Sequence, residues 1–391
     1  MSFDYYNLFW LLLPVAAFSG WLIAHLDYKR KQRKNDFDLP SAYFKGLNFL
    51  LNEQPDKAIE VFVKMLDVNP ETVETHLALG NLFRRRGEVE RAIRIHQNII
   101  ARPNLQKKQR SQALLELGQD YLKAGLFDRA ENLFLELAES RVYRSQALRQ
   151  LLHIYQQEKE WDNAITFCRK LAGATGESMD AVIAHYYCEL AEQAINNKDY
   201  DAARPYTKKA LRVSANCVRA SILLGKMESE IGNYKDAIKA WKRIEKQDIH
   251  YLGEVAKQIA DCYHQLDDEA GLFDFFQDAY SRHQSVRIML AMADVIREQD
   301  GPAAAEKFVI KEMRVRPSVP GLHYLIELSL SQPEKAENED LILLRAIIGG
   351  LHGQYEGYRC VQCGFRGRIL HWFCPGCSHW DTVKPVMEAD R

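Results

Sequence analysis

The chain has 391 residues, of which 47 % are hydrophobic and 27 % are charged, so it can bury a large core and is not a disordered tail. Its 52 lysine and arginine residues nearly balance its 53 aspartate and glutamate residues. This balance excludes a protein that binds a polyanion along its whole surface, so any basic site must be local.

The first segment predicts a membrane anchor. Residues 5–26 contain no Asp, Glu, Lys or Arg, and about 20 such residues in a helix cross a hydrocarbon layer of ~30 Å. Five cations follow within residues 29–34, so the positive-inside rule places the rest of the chain in the cytoplasm. There are two alternatives, a cleaved signal peptide and a buried helix of a soluble protein. A signal peptide, however, carries its positive charges before the apolar run. We expect an anchor over 1–26 and a basic juxtamembrane linker over 27–40.

The middle of the chain repeats a short signature built around an alanine. The intervals between successive alanines are 34, 38, 34, 39, 34, 33 and 34 residues. The alanines are Ala58, Ala92, Ala130, Ala164, Ala203, Ala237, Ala270 and Ala304. Glycines stand twelve residues before several of them, where two antiparallel helices must approach closely: Gly46, Gly80, Gly118 and Gly225.

A period near 34 with small residues at a helix crossing resembles tetratricopeptide repeats, whereas an irregular helical bundle would not repeat its small residues in this way. We predict an all-α repeat superhelix, with eight helix hairpins between about 41 and 320, in a domain over 41–335. Such repeats bind proteins in a groove. The resemblance implies that the first helix of each hairpin lines that groove, and the register places Asn81, Arg84, Arg85, Gln119 and Lys123 there as candidate partner-binding residues.

The sequence contains no phosphate-binding glycine loop, no G-x-S-x-G motif and no H-E-x-x-H motif. Isolated acids and histidines in a repeat array are usually surface or core residues. We therefore predict that the protein is not an enzyme.

The C-terminal region predicts a metal site. Residues 336–355 read as a helix and a glycine-rich linker, and residues 356–391 as a small domain too short to fold by burial alone. This domain holds two Cys-x-x-Cys pairs, Cys360 with Cys363 and Cys374 with Cys377. Thiols in the cytoplasm stay reduced, so the four cysteines predict one tetrahedral ion, iron or zinc, and not disulfides.

The two cysteine pairs, "CVQCG" and "FCPGC", resemble the knuckles of rubredoxins and zinc ribbons. The segment between the pairs is far shorter than in rubredoxins, and Ser378 stands where a glycine is usual. We expect Trp372, Phe373 and Trp380 to pack around the ion or to dock this domain onto the repeats. The remaining cysteines are scattered singly through helical sequence, and we interpret them as small buried hydrophobic residues: Cys168, Cys188, Cys217 and Cys262.

An anchor, a cationic stop, tetratricopeptide-like repeats and a four-cysteine domain, in this order, resemble the lipopolysaccharide assembly protein B family over the whole chain. The resemblance implies a single-pass protein of the bacterial inner membrane with a periplasmic N-terminus. It also implies an adaptor that promotes degradation of the deacetylase LpxC by the protease FtsH. Two alternatives are a membrane-tethered redox or metal-sensing protein with an iron centre, and a scaffold for envelope-synthesis enzymes that causes no proteolysis.

Overall fold

The computed structural model describes residues 18–25, 41–52, 54, 57–58, 60–61, 73–103, 105–332, 337–354 and 357–386. Residues 18–25 are helical. Most of the predicted anchor and all of the basic linker lie outside the described residues. Within them, no helix is both long enough and apolar enough to span a membrane.

The described chain divides into two compact units between Leu151 and Leu152. The first unit is built from helices that pack as successive hairpins. Its helices are α1 (Ser41–Leu51), α2 (Val73–Arg86), α3 (Val89–Ile100), α4 (Lys107–Lys123), α5 (Phe127–Glu139) and the first half of α6 (Arg144–Gln157).

The second unit continues the same pattern and adds a small sheet. Its further helices are α7 (Trp161–Thr175), α8 (Asp180–Asn196), α9 (Tyr200–Val213), α10 (Val218–Glu230), α11 (Tyr234–Lys242), α12 (Ile244–Gln247), a 3-10 helix (Ile249–Glu254), α13 (Ala256–His264), α14 (Glu269–His283), α15 (Val286–Asp300), α16 (Pro302–Val315), α17 (Val319–Leu330) and α18 (Glu339–Gln354). The predicted repeat architecture is confirmed.

The predicted glycines allow the close approach of paired helices. A methyl group added at Gly118 would lie 2.6 Å from the Phe134 ring, and one at Gly225 would lie 2.3 Å from Trp241 Nε1. A methyl group added at Gly80 would likewise overlap the His96 ring. In these three hairpins a bulky side chain of the second helix therefore fills the space that a side chain on the first helix would occupy.

The alanine register is confirmed for the first six repeats and wrong for the last two. Ala58, Ala92, Ala130, Ala164, Ala203 and Ala237 are fully buried. Ala270, in contrast, is exposed. The buried position is occupied by Leu272, which lies five residues after Asp267, a turn residue with a positive φ of 52°. Ala305 is fully buried where Ala304 was expected. The hydrophobic core tolerates leucine at this position, so an alanine motif alone misplaces the repeat.

The chain between the repeats and the cysteines is more helical than the predicted glycine-rich linker. Helix α18 contains Gly349, Gly350 and Gly353 and packs against α17. It exposes Leu343 and Ile347 to solvent. Helical packing thus continues beyond residue 335, where the sequence predicts a helix followed by a linker.

The C-terminal domain is a three-stranded antiparallel sheet of β1 (Tyr358–Cys360), β2 (Arg366–Gly367) and β3 (Val383–Pro385), in the order β2-β1-β3. Arg359 pairs with Arg366 on one side and with Lys384 on the other. Such short strands bury little apolar surface, so they position the cysteines but do not stabilise a domain by themselves.

Candidate metal centre and its docking surface

The first cysteine pair lies in a tight turn that leaves β1. The backbone N–H of Cys363 donates to Cys360 Sγ at 3.5 Å, and that of Gly364 donates to the Cys360 carbonyl oxygen at 3.0 Å. Gly364 has a φ of 76°, a conformation that glycine adopts at little cost. The turn aims both thiols at the same point.

The second pair repeats this turn without the usual glycine. The N–H of Ser378 donates to the Cys374 carbonyl oxygen at 2.9 Å, and Ser378 takes a φ of 57°. Serine therefore adopts the left-handed conformation at a cost of roughly 1–2 kcal/mol. The departure from the rubredoxin pattern leaves the knuckle intact.

The four sulfurs have the separations that a single ion requires. All four Sγ atoms lie within 4.8 Å of one another, and the Cys360–Cys377 and Cys363–Cys374 pairs are each 3.7 Å apart. Metal–sulfur bonds of ~2.3 Å in a tetrahedron give sulfur–sulfur edges of about 3.8 Å. The predicted ligand set thus fits one zinc or iron ion. Four protein ligands would complete its coordination, which is typical of a structural site.

Two tryptophans dock this domain onto the repeats, which is one of the two roles that the sequence predicts for them. Trp372 stacks on Tyr251 with ring centroids 5.4 Å apart. Trp380 stacks on His185 at 5.3 Å and meets the Tyr186 ring edge-on at 5.7 Å. Phe373 packs against Trp380 at 5.0 Å from the side of the sheet.

A buried arginine lies between the two indoles. The Arg219 guanidinium carbon is 6.0 Å from both the Trp372 and the Trp380 rings, within cation–π range. Arg219 is only 4 % exposed. Glu189 and Glu192, on α8, neutralise it with contacts of 2.8 Å and 2.5 Å. The interface therefore buries a cation without leaving its charge uncompensated.

His185 is buried in the same interface and is neutral. Burial, together with the positive charges of Arg219 and Lys384, lowers its pKa from 6.5 to about 3. Its Nδ1 has no hydrogen-bond partner among the described residues. A proton on this ring would add an unpaired charge next to Arg219.

Polar contacts surround the aromatic centre of the interface. The Tyr251 hydroxyl donates to the Val383 carbonyl oxygen at 3.0 Å, and Lys384 Nζ lies 3.2 Å from Asp248 Oδ2. The Tyr358 hydroxyl donates to Glu254 Oε2 at 2.8 Å. These contacts orient the sheet on the 3-10 helix and its neighbours.

The candidate partner-binding residues lie in the first unit and differ in availability. Arg84 is engaged by Glu116 at 2.6 Å and by Asp120 at 2.8 Å, and Asp120 also contacts the buried His96. The Arg84 guanidinium therefore links α2 to α4. Arg85 and Lys123 are exposed, whereas Asn81 and Gln119 are half-buried.

Sequence reasoning missed the residues of the repeats that receive the metal domain. They are Trp161, His185, Tyr186, Arg219 and Tyr251, which lie on or beside α7, α8, α10 and the 3-10 helix. One sequence signal was available for this surface: an arginine and a histidine stand at helix positions that otherwise hold core residues. Charged and polar residues are rarely buried without a partner, so these two positions indicate a contact surface.

The family models that match the chain agree with this architecture. Residues 358–385 match a family described as the rubredoxin metal binding domain, and residues 75–108, 115–178 and 188–249 match tetratricopeptide repeat families. Among solved structures, the C-terminal part of a repeat-containing protein from Cytophaga hutchinsonii is 15 % identical with a TM-score of 0.38, covering 66 % of this chain and 95 % of that one.

Two curated relatives align over nearly the whole chain. Lipopolysaccharide assembly protein B of Escherichia coli K12 is 38 % identical over 385 residues, covering 98 % of this chain and 99 % of the relative. The Haemophilus influenzae protein of the same name is 36 % identical over 394 residues, with the same coverage. The chain therefore belongs to the lipopolysaccharide assembly protein B family.

Proposed function

We propose that this protein is a non-enzymatic adaptor of lipopolysaccharide assembly, held in the inner membrane by residues 1–26 with its repeats in the cytoplasm. It promotes degradation of the deacetylase LpxC by the protease FtsH through protein–protein contacts. The alignment over 98 % of the chain with relatives named for lipopolysaccharide assembly is the observation that carries the proposal.

The repeats supply the binding surface in this proposal. Their first helices line a partner groove in proteins of this architecture, and Arg85 and Lys123 offer exposed cations on two such helices, α2 and α4. The metal domain docks on α8 and α10, which are also first helices. It therefore braces the later repeats.

A membrane anchor contributes through effective concentration. Holding the repeats beside a membrane-bound protease raises the local concentration of a captured substrate to roughly the millimolar range when the geometry permits. The protein would thus act by binding its partners and not by catalysing a reaction. Removal of residues 1–26 is therefore expected to impair degradation while leaving the capture of LpxC intact.

The test is the half-life of LpxC in cells that lack or carry the full-length chain. The adaptor predicts a shorter half-life with the protein present, and a return to the long half-life for R85E/K123E if these cations bind the substrate. Arg297→Glu, a change at an exposed residue of α15, is the matched control. An unchanged half-life with and without the protein would refute the adaptor and support a scaffold without proteolysis.

The exposed position of Cys363 favours a second candidate, a redox or metal-sensing protein with an iron centre, because electron transfer needs an approachable ligand. Visible absorption of the purified protein discriminates between the two metals. A coloured, reducible centre supports iron, whereas a colourless protein with one zinc per chain excludes this candidate.

A further inference from the structure

Two cysteines of different hairpins touch inside the second unit. Cys188 lies in the middle of α8, and Cys217 immediately precedes α10. Their Sγ atoms are 3.8 Å apart. Cys188 is fully buried, whereas Cys217 retains 6 % exposure.

Among the described residues, the other two cysteines of the helical repeats contact groups other than thiols. Cys168 Sγ contacts the sulfur of Met179 at 3.5 Å, and Cys262 Sγ contacts the Ser229 hydroxyl at 3.3 Å. The contact between Cys188 and Cys217 is therefore a feature of one place in the fold and not a general consequence of cysteines in these helices.

We propose that Cys188 and Cys217 are a peroxide-reactive thiol pair that forms a reversible disulfide between α8 and the start of α10. The site takes hydrogen peroxide as its oxidant. It is separate from the four cysteines of the metal centre.

The surroundings assign different roles to the two thiols. The contact with Cys188 lowers the pKa of Cys217 against the opposing effects of burial and of the Asp381 charge, and the Ala220 N–H and the Arg219 charge lower it as well. Cys217 occupies the N-cap position of a 13-residue helix, where the helix dipole also favours a thiolate. Burial raises the pKa of Cys188. Cys217 is thus the attacking sulfur and Cys188 the resolving one.

The reaction balances with peroxide alone. The Cys217 sulfur attacks one peroxide oxygen, the O–O bond breaks, and the departing hydroxide takes the thiol proton to leave as water, which produces a sulfenic acid. The Cys188 sulfur then attacks the Cys217 sulfur, the S–O bond breaks, and a second water leaves with the Cys188 proton. Two thiols are oxidised by two electrons, and one peroxide is reduced to two waters. Cytoplasmic thiols reverse the bond by exchange.

The disulfide would act on the docking surface of the metal domain. A sulfur–sulfur bond of ~2.05 Å requires the two sulfurs to approach by nearly 2 Å from their present contact. Cys217 lies two residues before Arg219, whose guanidinium contacts both docking tryptophans. Oxidation therefore pulls on the first turn of α10, where the domain is held.

The test uses the full-length protein with its metal bound. The folded protein is treated with one equivalent of hydrogen peroxide, its remaining thiols are alkylated, and it is digested with trypsin without reduction. We expect a linked pair of peptides, residues 171–198 with residues 213–219, about 2 Da lighter than the sum of the two reduced peptides. Dithiothreitol should remove the link.

Single substitutions separate the roles. In C188S, dimedone should label Cys217, because the sulfenic acid has no resolving thiol, whereas in C217S it should leave Cys188 unlabelled. Cys262→Ser is the matched control and should form the linked peptides as the wild type does. If the link forms only after denaturation, or if C217S and C188S are labelled alike, the proposal is wrong. Circular dichroism verifies that each variant is folded. If a serine variant does not fold, the alanine variant at the same position, C188A or C217A, is used in its place.

Discussion

Trp380→Ala tests whether the aromatic contacts hold the metal domain on the repeats. The indole packs against three rings of the repeats. Its ring centroid lies 5.3 Å from that of His185, 5.7 Å from that of Tyr186 and 6.4 Å from that of Trp161. Truncating a fully buried tryptophan to alanine costs 3–5 kcal/mol, and Trp380 is half-buried. We therefore expect a smaller loss of about 2 kcal/mol, equivalent to a roughly 30-fold shift from the docked to the undocked state.

Hydrogen–deuterium exchange followed by mass spectrometry measures this shift. Peptides of the metal domain and of α8 should exchange faster in W380A, while the metal content stays at one ion per chain because the four ligands are untouched. Ile369→Ala is the matched control in the same domain, since Ile369 is 64 % exposed and touches little. Its effect should stay within ~0.5 kcal/mol. Equal exchange in W380A and the wild type would refute an energetic role for the aromatic interface.

Three further predictions address the metal, the pH dependence and the helix packing. C374S/C377S should lose the ion by elemental analysis and lose function in cells, with Cys262→Ser as the control; full activity without metal would refute the structural role. Because burial holds the pKa of His185 at about 3 and not 6.5, its contribution to stability is complete above pH ~6.5 and is lost as the pH falls towards 3. Between pH 7 and 5 the loss is about 2 kcal/mol, and unfolding curves of H185F should lack this component. Gly225→Ala should destabilise by about 1–2 kcal/mol in thermal unfolding, because its methyl group would meet the buried Trp241. At Gly173 no other described residue beyond its own helix backbone and chain neighbours lies within 4 Å of an added methyl group. Gly173→Ala should therefore stabilise α7, and equal effects of the two changes would contradict the packing argument.

Much of the candidate site could be predicted from local spacing. A Cys-x-x-Cys turn brings its two thiols together by its own backbone geometry, so Cys360 with Cys363 and Cys374 with Cys377 are recognisable without a fold. The repeat length is similarly local, since each hairpin must bury the same face against its neighbour. The register failed at Leu272 because several apolar residues satisfy the same buried position.

The amino-acid sequence by itself determined the repeat architecture, the four cysteines of the candidate metal centre and the membership of a family, since all three depend on residues that are close along the chain or on their order. Only the tertiary structure decided that Arg84 is engaged by Glu116 and Asp120, that Cys188 meets Cys217, and that Arg219 lies between Trp372 and Trp380. The physical reason is that these contacts join residues about 30 to 160 positions apart. Stacking of whole hairpins, and not any local spacing rule, brings them within a few ångströms.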